Sequence, residues 1–290
     1  MAKRIVTLSI EGTTLRILGS RGDSVDVWDI VPINPNFLKN GHVADAEGLG
    51  EVIRSIMTNM RLTTGTIMCA HSAMGSTSRI LNLPALEKGQ LESVIQREVR
   101  REAEVSQEDS YLYWRALPLR TQHQQVFVLS IPKEPLQALM NAMAIARLRP
   151  SIIELKPLAL MRAVNRRDAI IANGETNCVE IVIVLDDVPV LIRSAFLGEG
   201  VLSSDYAVGR ISDELVRTIS FYNDSHQDEP LDHELPIYLT GAVAGSVSFA
   251  INVATLTGRP IQPLEPPLSY SAELPLAHYM VNMGLVLRTS

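Results

Sequence analysis

The sequence predicts an α/β protein of two halves, with a small α+β unit inserted into the first half. Three observations predict this class: the chain begins with a β-β-β-α-β order, a strand-helix-strand-strand-helix unit follows, and a second hairpin opens the later half. The length of 290 residues suits two domains, or two halves around a cleft, better than one small core. With 46% hydrophobic and 20% charged residues, the composition is that of a globular protein.

Charge and cysteine content exclude several classes of function. A net charge of -6 argues against general nucleic-acid binding, which needs a surplus of Lys and Arg. Cys69 and Cys178 stand far apart in apolar surroundings without a Cys/His cluster, so we expect buried thiols rather than a zinc site or a disulfide framework. The N-terminus does not resemble a signal peptide, and no stretch reaches the roughly 20 apolar residues of a membrane span. We expect a soluble protein that reaches a membrane only through a partner.

The first half begins with three strands. Residues 4–18 predict a hairpin whose turn is residues 11–14, and residues 24–31 predict a third strand. Apolar residues at helical spacing predict a helix over residues 48–60, and residues 66–70 predict a short buried strand. This order is the one with which an actin-type or RNase H-type half begins.

The inserted unit has its own pattern. Residues 77–83 alternate as a strand, and residues 86–104 form a charged amphipathic helix. Two more strands, over residues 111–117 and 125–130, and a helix over residues 135–148 complete it.

The later half repeats the plan of the first. The segments 8–14 and 171–177 each join two strands by a Gly/Thr turn, which favours an internal duplication, although any two hairpins share such features. The predicted strands cover residues 151–154, 169–174, 180–185, 188–196, 236–240 and 260–264, and the predicted helices cover residues 157–164, 211–222, 247–257 and 277–287.

The order of several segments over the whole chain resembles the PilM-like type IV pilus assembly proteins, to which the division protein FtsA is related. The segments that carry the resemblance are 79–84 (RILNLP) with the acidic helix after it, 146–150 (ARLRP), 214–219 (ELVRTI), 237–241 (IYLTG), 258–261 (GRPI) and 279–288 (YMVNMGLVLR). The resemblance implies an actin-like, RNase H-type two-domain fold. Residues 1–73 and 149–167 would form the first domain, 74–148 an inserted SHS2-type α+β subdomain, and 168–290 the second domain with its helical subdomain largely missing.

The resemblance also implies where a nucleotide would bind. Actin-like ATPases hold ATP between the halves, with two hairpin turns and a third glycine loop around it and Asp residues that position Mg²⁺. The turns carried over to this chain as vestigial nucleotide loops contain Gly12, Thr13, Thr14, Gly174, Thr176 and Gly241.

This chain departs from the family pattern at each loop. Ser9-Ile10-Glu11 replaces Asp-x-Gly, Ala172 stands where the family has Asp, and Ala242 and Val243 follow Gly241. Only residues 197–210 stand where the family has several dozen residues that cover the nucleotide. Glu11 lies on the same face of its strand as Ser9, which is where a carboxylate that substitutes for the lost Asp would lie. Such a substitution does not explain Ala172 or the short segment over residues 197–210. We therefore expect no catalytic residue, no bound metal and no cofactor, with ATP and Mg²⁺ as the alternative.

Other candidate chemistry is weaker. His71 and Ser72 lack the elbow and triad order of a hydrolase. His226 and His233 stand in an acidic segment that we interpret as a solvated loop.

The function that the resemblance implies is a non-catalytic scaffold at the inner face of the cytoplasmic membrane, in a type IV pilus or a related secretion or DNA-uptake machine. Its partner would be the short N-terminal cytoplasmic tail of a PilN-like bitopic protein, held in a groove between the insert and the first domain. The strand over residues 77–83 and the helix over residues 91–102 are the candidate walls. The alternatives are an active ATPase or small-molecule kinase, and an FtsA-like division protein.

Overall fold

The computed structural model describes residues 4–84, 88–102, 109–118, 123–198 and 204–289. The chain divides into two compact units, Met1–Met74 with Ala138–Ser290, and Gly75–Gln137. The larger unit contains both sheets of the predicted halves.

The first half is built on a mixed five-stranded sheet. In chain order its elements are β1 (Arg4–Glu11), β2 (Thr14–Arg21), β3 (Ser24–Pro32), the two-residue strands β4 (Leu38–Lys39) and β5 (His42–Val43), α1 (Ala46–Asn59) and β6 (Thr66–His71). Asp45 caps α1 by accepting a hydrogen bond from the backbone N–H of Gly48 at 2.9 Å.

The smaller unit is a three-stranded antiparallel sheet with one helix on it. Its elements are β7 (Thr77–Pro84), α2 (Lys88–Glu102), β8 (Ser110–Ala116), β9 (His123–Pro132) and the first residues of α3 (Lys133–Ile145). The strand order is β7-β9-β8, so β7 and β8 are both edges. Ile95 of α2 packs on Leu81, Leu83, Val126 and Val128.

The second half follows in the remaining sequence. The chain first completes the first sheet with β10 (Ile152–Leu155) and continues through α4 (Lys156–Val164). The elements of the second half are then β11 (Ala169–Gly174), β12 (Cys178–Leu185), β13 (Val188–Phe196), α5 (Ser204–Ser225), β14 (Ile237–Thr240), α6 (Val247–Thr257) and α7 (Leu276–Val286).

The two sheets share one plan. The first has the order β10-β6-β1-β2-β3 and the second β13-β12-β11-β14, and in each an antiparallel three-stranded meander is joined to a parallel strand beside its first member. Helices α4 and α7 pack against each other between the sheets. A Cβ on Gly284 of α7 would overlap the backbone of Ala159 in α4, so glycine is needed at this crossing. The repeated hairpin in the sequence therefore corresponds to two sheets of the same design.

Most predicted elements are present, with two differences. No strand covers residues 260–264, where Ile261 forms only an isolated bridge to Ile237, because Pro260 and Pro263 lack N–H donors. Helix α5 is longer than its apolar stripe predicted and begins at Ser204. The ends of the helix predicted over residues 86–104 lie outside the described residues.

The inserted domain is predicted over residues 74–148, whereas the smaller compact unit covers Gly75–Gln137 and ends earlier. That unit ends at Gln137, because Leu139, Ala142 and Met143 of α3 pack into the core of the first half. Cys69 and Cys178 are free and buried, as predicted. Within the described residues, no helix combines the length and the apolar character that crossing a membrane requires.

Candidate functional site

The two hairpin turns predicted as nucleotide loops contact each other at the junction of the halves. A Cβ placed on Gly12, which has a φ of 58°, would lie 3.2 Å from Oδ1 of Asn177 and 3.6 Å from Oγ1 of Thr176. Glycine is favoured at this φ, and the close neighbours leave little room for a side chain. The first turn therefore closes directly on the second.

A buried ion pair lies beside the first turn. Helix α4 begins at Lys156, and the Lys156 ammonium donates to the backbone oxygen of Ile10 at 2.6 Å and to the Glu11 carboxylate at 3.2 Å. The exposed fraction of the side chain is 6% for Lys156 and zero for Glu11. Ser9 donates to the other oxygen of Glu11, as the alternation of β1 predicted. The Glu11 carboxylate is thus held by the protein itself.

A second buried ion pair links the two halves. The Arg16 guanidinium of β2 donates to Glu175 at 2.7 Å and to the backbone oxygen of His278 at 2.8 Å. The other oxygen of Glu175 accepts from the backbone N–H of Ala242 at 3.1 Å. Both side chains are almost fully buried, so the Glu175 carboxylate fills the space between Arg16 and the third loop.

An asparagine joins the first ion pair to the end of β14. Nδ2 of Asn173 donates to Glu11 at 3.2 Å, and its Oδ1 accepts from the Thr240 hydroxyl at 2.9 Å. We call the set Glu11, Arg16, Lys156, Asn173 and Glu175 the junction cluster. It ties β1, β2 and α4 to β11 and to the turn after it.

A third buried carboxylate, Glu180 of β12, lies close to this cluster. It accepts from the Ser72 hydroxyl at 2.9 Å and from the backbone N–H of Ala73 at 3.0 Å. The strand end of β6 in the first half is therefore also held by the second half.

Burial and neighbouring charges shift the ionisation of these groups. Burial disfavours the Glu11 carboxylate, but Lys156 and Arg16 outweigh it and hold the pKa of Glu11 below its usual value. Burial also disfavours the Lys156 ammonium, yet Glu11 and Glu180 raise its pKa above the ordinary range.

The pKa of Glu175 is shifted upwards, in the opposite direction to that of Glu11. Burial raises the pKa of Glu175 to about 7 in spite of Arg16, because Glu11 adds repulsion. Burial likewise raises the pKa of Glu180. Three buried carboxyl groups share two cations here, and the pKa values of Glu175 and Glu180 are raised while that of Glu11 is lowered.

The structure places the six predicted loop residues around the junction cluster. Gly12 and Thr176 lie at the contact of the turns, and the Thr14 hydroxyl donates to the backbone oxygen of Glu11 at 2.8 Å. Gly241 has a φ of 90°, and a Cβ there would overlap the backbone oxygen of Gly174. The third loop is thus packed onto the end of β11. The role of these residues in nucleotide binding stays a prediction.

A cavity lies beside the two turns. Its volume is about 460 Å³. Thr13 and Asn177 line it from the turns, and Lys39, Leu38 and Phe196 line it from the surrounding strands.

Of the other candidate residues, His71 and Ser72 lie beside the junction cluster, and His226 and His233 lie in the segment after α5. His71 is buried, and burial lowers its pKa to about 4, with His42 and Lys156 adding to the effect. His226 and His233 are exposed. No group of three or more metal-ligating side chains is found in the part of the chain that the structure describes.

Sequence reasoning missed Arg16, Lys156, Asn173, Glu175 and Glu180. A signal existed in the two strands: Arg16 and Glu180 are single charges within otherwise apolar runs, where an unpaired charge would be costly. Their partners were not predictable, because Arg16 and Glu175 are 159 positions apart.

Comparison with known proteins gives matches in structure only. No model of a protein family matches the chain, and no curated protein matches its sequence. A PilM-PilN type IV pilus biogenesis complex contains a chain with a TM-score of 0.80 and 18% identity, over 98% of both chains.

Two further solved structures match at lower similarity. The ethanolamine utilization protein EutJ from Carboxydothermus hydrogenoformans has a TM-score of 0.59 and 11% identity over 99% of this chain and 90% of its own. The cytoplasmic domain of EpsL, an inner membrane component of the type II secretion system of Vibrio cholerae, has a TM-score of 0.56 and 11% identity over 99% and 95%. These likenesses show that the chain has the actin-like fold, in the form of the matched chain of the PilM-PilN complex.

Proposed function

We propose that this chain is a non-catalytic, cytoplasmic scaffold of a type IV pilus or related secretion platform, and that it binds the cytoplasmic tail of a PilN-like membrane protein. The junction cluster is the observation that supports a non-catalytic role. Its two ion pairs stand at the strand ends where an actin-like ATPase holds Mg²⁺ and phosphate.

The junction cluster does not fit a magnesium ion. Mg²⁺ requires oxygen ligands in near-octahedral geometry. At the end of β1 the Glu11 carboxylate is occupied by the Lys156 ammonium at 3.2 Å. In β11, Ala172 stands at the position that corresponds to Ser9 and has no ligand atom in its side chain. A cation placed here would be repelled by Lys156 and would have to break a buried ion pair, which costs about 3–5 kcal/mol.

The junction cluster does not fit a polyphosphate either. Loops that bind phosphate present free backbone N–H groups to it. Here the N–H of Ala242 and the guanidinium of Arg16 both donate to Glu175. An internal carboxylate therefore takes the donors that a nucleotide would need, and its charge opposes a second anion.

The partner is proposed from the structural neighbours. The neighbour with a TM-score of 0.80 is a PilM-PilN complex, and another neighbour is an inner membrane component of a secretion system. Edge strands accept extended peptides by backbone pairing, and β7 is an edge of its own sheet. Strand β7 and helix α2 correspond to the two walls of the peptide-binding groove that the family resemblance implies.

A peptide-binding measurement tests the proposal. Fluorescence anisotropy would follow a labelled peptide with the sequence of the N-terminal tail of a PilN-like protein from the same organism. We expect a Kd of tens of micromolar or tighter, and no binding of a scrambled peptide. No binding of the tail at about 100 μM, which corresponds to about 5–6 kcal/mol, would contradict the proposal.

Two variants of the insert sharpen this test. Ile80→Asp changes β7, and Tyr113→Asp changes the opposite edge strand β8, where the Tyr113 side chain is exposed. We expect Ile80→Asp to weaken tail binding at least about tenfold and Tyr113→Asp to change it less than about twofold. Equal losses would place the peptide elsewhere.

A further inference from the structure

Helices α1 and α3 end in the same uncommon way. Each is followed by an arginine with a positive φ, Arg61 at 56° and Arg147 at 59°. The next residue, Leu62 or Leu148, donates its backbone N–H back to the helix and is buried in the core of the first half. Glycine is favoured before such a residue, because an L side chain is strained at positive φ. The other described non-glycine residues with positive φ are all Asn or Asp. Packing therefore explains the two leucines but not the two arginines.

Both arginines lie at one end of the first sheet. The loop after α1 leads into β6 and the loop after α3 leads into β10, and these are neighbouring parallel strands. Parallel strands begin at the same end of a sheet. The backbone N–H of Ser151 donates to the oxygen of Ile67 at 2.8 Å, so the two segments are in contact where they enter the sheet. Arg149 belongs to the second loop. We call Arg61, Arg147 and Arg149 the basic end.

The basic end has no acidic residue in its own parts of the chain. Residues 52–86 and 135–153 contain no Asp or Glu. All three arginines of the basic end are exposed, and none forms an ion pair or a side-chain hydrogen bond with a described residue. At the same end of the sheet, the carboxylate of Asp26 is already paired with Arg4 and Arg21. The basic end therefore carries a local positive charge on a chain whose net charge is -6.

We propose that the basic end binds the anionic lipid headgroups of a bilayer. A guanidinium group forms bidentate hydrogen bonds with phosphate. A bilayer presents phosphate groups over a whole plane, so separate arginines can each engage one without sharing a pocket. Thr63 and Thr64, in the same loop as Arg61, are exposed and offer hydroxyl donors to further oxygens.

The choice of a bilayer over an acidic protein rests on the proposed function, which brings the chain to a membrane. Attachment through the tail of a bitopic protein does not by itself fix which side of the chain faces the lipid. The basic end would add a direct contact and so set that orientation.

The test measures binding of the full chain to vesicles of two compositions, phosphatidylcholine alone and phosphatidylcholine with phosphatidylserine. A C-terminal polyhistidine tag on the chain and nickel-chelating lipid in both vesicles replace the PilN-like tail as the tether. The variants are Arg61→Gly with Arg147→Gly, called the glycine pair, and Arg149→Gln. Arg210→Gln with Arg217→Gln on α5 is the control, because it removes two exposed arginines and so changes the net charge as the glycine pair does.

Each arginine near an anionic surface contributes about fivefold in affinity, equivalent to ~1 kcal/mol. We therefore expect the glycine pair to bind anionic vesicles about 20-fold more weakly than the parent, and Arg149→Gln about fivefold more weakly. Binding to neutral vesicles should not change. The α5 control should stay within about twofold of the parent, because charges more than a Debye length from the bilayer are screened.

Two further readouts separate a role in lipid binding from a role in the fold. Raising the ionic strength from about 0.1 to 1 M shortens the screening length from about 10 to 3 Å, and should remove the difference between the two vesicles. Because glycine is favoured at positive φ, the melting temperature of the glycine pair should stay the same or rise.

Several outcomes would overturn the proposal. Equal affinity of the parent chain for both vesicles would do so, as would a loss in the α5 control as large as that of the glycine pair. Unchanged vesicle binding of the glycine pair, with a lower melting temperature, would assign the arginines to the stability of the fold instead. Binding of a soluble polyglutamate peptide, without any preference for anionic vesicles, would assign the basic end to an acidic protein. The tail peptide is absent from this assay, so these outcomes are distinct from a failure of the tail to bind.

Discussion

Removing the Lys156 ammonium tests how much the junction cluster stabilises the fold. Lys156→Met keeps the unbranched stem but leaves the Glu11 carboxylate, which has no exposed surface, without its cation. Breaking a buried ion pair by removing one partner costs about 3–5 kcal/mol, because the remaining charge stays desolvated. We expect the free energy of unfolding in urea to fall by that amount. The midpoint should shift by about 1 M or more at an unchanged m-value.

A matched exposed pair serves as the control for Lys156→Met. Arg54 pairs with Glu51 on α1, and both side chains are about half exposed, at 40% and 48%. Arg54→Met should cost no more than about 1 kcal/mol. Adding Glu11→Gln to Lys156→Met removes the carboxylate that has lost its cation. The double variant should therefore regain part of the free energy of unfolding that Lys156→Met loses. A loss for Lys156→Met as small as that for Arg54→Met would refute the reasoning.

Two further predictions concern packing and pH. Gly284→Ala should destabilise the protein by about 1–3 kcal/mol, because the added Cβ would overlap Ala159. The control Gly209→Ala in α5 places a Cβ where no atom lies within 4 Å, and it should stabilise the protein by about 0.5–1 kcal/mol. Equal shifts of the melting temperature in calorimetry would contradict this prediction. Because burial lowers the pKa of His71 to about 4, its contribution to stability is present above about pH 6.5 and is lost as the pH falls towards 4. That loss is about 3 kcal/mol at most, so urea titrations should show a flatter decline for His71→Gln between pH 6.5 and 4. An unchanged slope would argue against a buried neutral imidazole.

The elements of the fold were largely predictable from the sequence. Strands such as β12, with a continuous run of Val and Ile, and helices such as α1, with one apolar stripe, have periodicities that decide their structure locally. The strand expected over residues 260–264 was wrong, because its two prolines outweigh its apolar residues. The limit of the inserted unit was also not readable from the sequence, since α3 continues without a break from one unit into the other.

The candidate site was predictable only in outline. The turns around Gly12 and Gly174 were identified, and so were the missing carboxylate at Ala172 and the shared face of Ser9 and Glu11. The junction cluster itself was not, because its pairs join residues more than a hundred positions apart in sequence. The sequence alone shows that the side chain of Ala172 offers no ligand atom, but the ion pairs of the junction cluster form only when the halves are folded together.

We infer that the junction cluster takes the place of a magnesium-bound nucleotide. Isothermal titration of the full chain with ATP and Mg²⁺ tests this most directly, with thermal unfolding of the same sample to show that it is folded. We expect no saturable heat up to about 1 mM nucleotide. A Kd below about 100 μM, equivalent to about 5–6 kcal/mol, would contradict it.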